Sequence, residues 1–208
     1  MTKEHCSHEL DNIGKALDQM SHEAEVMTSK VFDALIKNKM KPLDDAEKIG
    51  SKIELEAKQL MQTILSADDQ STMIDSAAVI EVSGELQKII YSVDKMIGAI
   101  RSKIDEGILF SDRAVVELKD FFSAVIDGFN NIHDLVLTQN PVLADHIINN
   151  VKLFEEKGRK YAEEHEERMI KGVCLPKSSL VYLIILESLK DTLRFIKGIA
   201  KAITKKNV

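Results

Sequence analysis

Lys190, Arg194, Lys197, Lys201 and Lys205 recur along the last stretch of the chain, with Lys206 beside them. Steps of three and four put these cations on one side of a helix. A basic amphipathic face of this kind suits an anionic lipid surface or an acidic partner. The backbone dipole also favours cations near a helix C-terminus, so a solvated lysine face is the competing reading. His5-Cys6-Ser7-His8 has the residue types of half a metal site, but no second cluster stands near it in sequence. Cys174 lies in a turn beside Pro176 with no histidine close by in sequence, which is not the setting of a nucleophile. Di-iron chemistry in helical bundles uses Glu-x-x-His on two helices, and no Glu-x-x-His occurs here. A glycine-rich phosphate loop is absent too, so nucleotide hydrolysis has no visible machinery.

These residues need elements to position them, and the apolar periodicity supplies six helices. The first is expected from about Ser7 to Lys37, with Leu10, Ile13, Leu17, Met20, Ala24, Met27, Val31 and Leu35 in one stripe. Asn38-Lys39-Met40-Lys41-Pro42 ends it, since proline disfavours helix in the preceding residue. The second runs from about Asp45 to Ser66, and a polar turn, Ser66 to Ser71, follows. The third, Ile80 to Ile104, gathers Leu86, Ile89, Val93, Met96, Ile97, Ile100 and Ile104 on one narrow face. Gly107 and Ser111-Asp112 give a stop and a fresh N-cap. The fourth carries Val115, Leu118, Phe122, Val125, Phe129, Ile132 and Leu135. Asn140-Pro141 opens the fifth, which runs to about Met169. Gly172 and Pro176 separate it from the sixth, about Ser178 to Thr204.

The expected fold is all-α, with six long helices forming two antiparallel three-helix bundles packed side by side. Residues 1–108 make the first bundle and 109–208 the second, within one continuous domain, as short connections require. Two units of similar length suggest an internal duplication; Ser92-Val93-Asp94 and Ser188-Leu189-Lys190-Asp191 are its faint echo in the letters.

Composition agrees. The 208 residues are 44% hydrophobic and 30% charged, with 9 Gly, 3 Pro and no Trp, the balance of a globular helical chain. A chain of this length buries roughly 70% of its unfolded surface and needs no disulfide or metal to fold. The net charge of -6 argues against nucleic-acid binding, which needs a dominant basic field. Two cysteines, Cys6 and Cys174, fit a reducing cytoplasm better than a secreted scaffold. Residues 1 to 12 are polar and charged and do not read as a signal peptide. The longest apolar run, Leu180 to Leu186, is far short of the ~20 residues of a membrane span and is expected to be a buried helix segment.

His165-Glu166-Glu167-Arg168-Met169-Ile170-Lys171-Gly172-Val173-Cys174, followed by Leu186-Glu187-Ser188-Leu189-Lys190-Asp191, resembles the end of the PhoU family. There a helix closes with a Leu-Glu-Arg-Ile-Gly-Asp signature. The likeness extends to the PhoU-like modules that stand alone or end sodium–phosphate cotransporters. Ile53-Glu54-Leu55-Glu56-Ala57 resembles that family's acidic second helix.

The resemblance implies that E-x-x-x-D pairs bind metal. Carboxylates four apart share a helix face, and with a pair from a neighbouring helix they supply hard oxygen ligands for iron, zinc or another divalent cation. Glu187 and Asp191 keep that pattern, whereas Glu54 is followed four residues on by Lys58 and Asp94 is preceded by Ile90. Arg159 and Lys160 likewise follow Glu155 and Glu156. A lysine ammonium repels a cation, so the competing reading pairs Glu187 and Asp191 with Lys190 and Arg194 on a solvated face.

The resemblance further implies a non-enzymatic regulator of inorganic phosphate uptake. It would act in the cytoplasm, by contact with a membrane phosphate transporter or its signalling partners, and as a homodimer. Its contact surfaces would be the acidic face with Glu54, Asp94, Glu187 and Asp191 and the basic face of the last helix.

Overall fold

A computed structural model of the chain describes residues 3–66 and 73–205. They form six helices: α1 (Lys3–Lys37), α2 (Lys41–Leu65), α3 (Met73–Asp105), α4 (Asp112–Thr138), α5 (Pro141–Ile170) and α6 (Pro176–Thr204). No strand occurs among the described residues. Most of the polar turn expected after Ser66 lies outside them, as does Lys206, and the side chains of His5, Cys6 and His8 are outside the description as well.

Each helix forms where an apolar stripe is matched to local stop and start signals. In α3, Leu86, Ile89, Val93, Met96, Ile97 and Ile100 are all buried, as the 3.6-residue period requires. In α4 the buried stripe is Leu118, Phe121, Phe122, Val125, Phe129, Ile132 and Leu135. The Ser111 hydroxyl caps that helix by accepting from the Ala114 amide at 3.3 Å. Asn140 caps α5 through the Val142 amide at 3.0 Å, with Pro141 in the first turn. Helices α3 and α5 end alike. Gly107 and Gly172 adopt φ of +62° and +68°, and the following amides reach back to Lys103 and Arg168 carbonyls at 2.9 Å. That is the left-handed helix stop for which glycine is suited.

Two starts differ from the sequence reading. Helix α2 begins at Lys41, not Asp45, because Pro42 sits in its first turn, where a missing N–H costs nothing. The reversal is made instead by Asn38 at φ 54°. Helix α3 begins at Met73 rather than Ile80; Ala77 and Ala78 extend it by propensity ahead of the clear stripe.

Helices α1, α2 and α3 pack on one another, as do α4, α5 and α6. The two bundles join first helix to first, α1 against α4, and third to third, α3 against α6. Phe32 of α1 stacks on Phe122 of α4 at 4.9 Å across that junction. One hydrophobic core runs through both units. The units also repeat a turn: Asn38 and Gln139 both take positive φ, and a proline follows each in the first turn of the next helix.

Candidate functional site

The run Leu180 to Leu186 in α6 is apolar at every position, and only part of the circumference it spans is covered. Val181, Tyr182, Ile185 and Leu186 point into the core. Leu180 is 62% exposed and Ile184 36% exposed, so the apolar run expected to be a buried segment is buried on one side only. The reason is packing: α3, α4 and α5 contact α6 and leave the remaining arc open.

Two depressions flank that open arc. One, of about 750 Å³, lies between α3 and α6, with Ala99, Ile108, Leu180 and Ile184 among its walls and Glu106, Lys177, Glu187 and Asp191 among its polar groups. The other, of about 290 Å³, runs beside α5 and is lined by Ala162, Glu163, His165, Glu166, Met169 and Leu183. Leu183 borders both. The adjoining turn adds exposed Ile170, Val173 and Leu175.

The acidic residues singled out from the sequence fall into two pairs. Glu187 accepts from the Lys190 ammonium at 2.7 Å, and Asp191 is bound by Arg194. Asp94 on α3 lies within electrostatic reach of Glu54 on α2. Partial burial raises the Asp94 pKa first, and the charges of Glu54 and Glu47 raise it further. Among the described residues no three His, Cys, Asp or Glu side chains are gathered closely enough to hold a metal ion. On α6 both carboxylates sit in i, i+3 ion pairs.

Most of the basic stripe is likewise engaged. Lys197 binds Glu155 at 2.7 Å, and Lys205 binds Glu81 at 2.9 Å across to α3. The stem of Lys190 packs over Gly158, where an added Cβ would lie 2.9 Å from Lys190 Cδ. Lys201 is exposed on the same helix.

Behind the smaller depression stands a buried charged network that the sequence reading missed. Glu117 is fully buried on α4. Its carboxylate accepts from Arg113 Nε at 2.7 Å, from Arg168 at 2.9 and 3.1 Å, and from the Tyr182 hydroxyl at 2.6 Å. Burial and the Glu117 bond both push the Tyr182 pKa up, so the phenol stays protonated and donates. Burial works against the Arg168 charge, and its bonds to Glu117 outweigh it, so the guanidinium stays charged. His165 stacks on Tyr182 at 4.4 Å, its Nδ1 is 3.3 Å from Arg168, and its Nε2 has no partner among the described residues. Burial first, and Arg168 second, lower the His165 pKa. One signal was legible: Glu117 occupies a core position of the α4 stripe, between Ala114 and Phe121.

No protein-family model matches the chain, and no curated protein sequence matches it. Among solved structures, PhoU from Pseudomonas aeruginosa superposes with a TM-score of 0.86, covering 95% of this chain and 96% of that one. The fold is PhoU-like. Sequence identity over the match is 18%, so the likeness rests on helix order, length and packing. No helix among the described residues is long and apolar enough to cross a membrane.

Proposed function

We propose that this chain regulates inorganic phosphate transport without catalysing a reaction, by protein–protein contact with a membrane phosphate transporter or its signalling partners at the cytoplasmic face of the membrane. The uncovered aliphatic side of α6 carries the reading. Within the apolar run Leu180 to Leu186, Leu180 and Ile184 are left exposed beside one another on the outer side of the helix, and exposed apolar side chains grouped in this way suit contact with a partner. The PhoU-like fold supports phosphate regulation as the process served.

The rival readings have less support. The carboxylates that a cation would need on α6 are held by Lys190 and Arg194. Of the lysines that would meet anionic lipid, Lys190, Lys197 and Lys205 are engaged by Glu187, Glu155 and Glu81. The test is phosphate uptake in a deletion strain complemented with the wild-type chain or with Leu180→Asp. Loss of regulated uptake on deletion, not restored by Leu180→Asp, supports the proposal; uptake identical in all strains overturns it.

A further inference from the structure

We infer that the element seated on the open arc of α6 is a basic amphipathic helix. This rests on the contact role proposed above and adds the chemistry of the partner. A single helix is about 10–12 Å across with its side chains, and because Leu183 borders both depressions, a helix laid over Leu183 meets the rim of each. Its aliphatic side would enter the larger depression against Leu180 and Ile184, the helix-in-groove mode in which side chains at helical spacing anchor the contact.

Charge decides the sign of the partner. Around the larger depression the acids already have cations: Glu106 is bound by Lys177, Glu187 by Lys190 and Asp191 by Arg194. The smaller depression differs. Glu163 and Glu166 both line it, both are exposed, and neither has a hydrogen-bond or ion-pair partner among the described residues. Its wall also holds His165, only 3% exposed, whose Nε2 is unpartnered. With Nδ1 facing the Arg168 guanidinium, a neutral His165 carries its proton on Nε2, leaving a buried donor without an acceptor. Lys95 is the opposing free charge on the rim of the larger depression, and its ammonium lies 4.5 Å over the Tyr91 ring. Two unanswered carboxylates beside an apolar ridge call for lysine or arginine on the polar side of the incoming helix. They also repel the anionic headgroups of a membrane surface.

The inference is tested with the full chain and three probes. These are a fluorescein-labelled peptide helix with leucine on one side and lysine on the other, its counterpart with glutamate for lysine, and phosphatidylglycerol vesicles. The leucine–lysine peptide should bind saturably, and its affinity should fall as salt rises. Leu180→Asp with Ile184→Asp should abolish binding. Glu163→Lys with Glu166→Lys should weaken it about tenfold or more, with thermal unfolding unchanged. Equal affinity for the two peptides overturns the inference, as does peptide binding that survives Leu180→Asp. Vesicles captured in place of peptide, or a dimer in solution that Leu180→Asp dissociates, overturn it too, because lipid or a second copy then occupies the face. Uptake assays on the same variants separate this from the parent reading. Absent peptide binding with uptake still dependent on Leu180 removes only the basic helix, whereas peptide binding with uptake indifferent to deletion removes only the phosphate role.

Discussion

Glu117 holds the second bundle's polar interior together, because Arg113 one turn earlier on α4, Arg168 on α5 and Tyr182 on α6 all donate to its one buried carboxylate. Glu117→Ala leaves the Arg168 charge largely buried and unanswered. It should destabilise the protein by about 3–5 kcal/mol in urea titration. Tyr182→Phe removes a single charge-assisted bond and should cost about 1.5–3 kcal/mol.

His165 gives the network a pH dependence of definite sign. Its folded pKa is lowered from 6.5, so the unfolded chain binds the proton more readily. The stability it contributes is complete above that unfolded value and is lost as pH falls through the lower folded one. Denaturation midpoints should therefore decline as pH drops below about 6.5, and His165→Phe, which keeps the stacking on Tyr182, should flatten that decline. Nothing in the spacing of His165 and Glu117, 48 positions apart in sequence, shows that they share one site. The polar residue on the apolar stripe was visible, but its partners were not.

At the scale of elements, the helix stops were legible where glycine marks them. Gly107 and Gly172 are both left-handed, as their positions after the last stripe residue suggest. Asn38 and Gln139 do the same work without glycine, which is why the start of α2 was placed too late. Gly172→Ala meets no steric neighbour, so its effect isolates the backbone conformation. A loss of about 1–2 kcal/mol is expected by thermal denaturation.

Within α6, exposure separates two kinds of leucine that the letters do not distinguish. Leu189→Ala, at a fully buried position, should cost about 2–5 kcal/mol. Leu180→Asp should change stability by no more than about 0.5 kcal/mol, because the side chain is largely in solvent. If both variants unfold at the same midpoint, the open arc of α6 is not open.

For the whole molecule, the continuous core predicts one cooperative unfolding transition and not two. Phe122→Ala, at the α1–α4 junction beside Phe32, should lower stability by about 3–5 kcal/mol. It should shift the signals of both bundles together in calorimetry and hydrogen exchange; separate transitions for residues 3–105 and 112–204 would make the bundles independent domains.

The sequence by itself determined the six helices, their order and the side of each that seeks a core, because helical periodicity and end signals are local. It also showed the E-x-x-x-D pair of Glu187 and Asp191 and the cations that answer it, since neighbours three apart on a helix must meet. Tertiary structure alone decided which part of a uniformly aliphatic stretch stays uncovered and which distant charges converge on Glu117. Those outcomes depend on where separate helices come to lie, and no spacing within one helix carries that information.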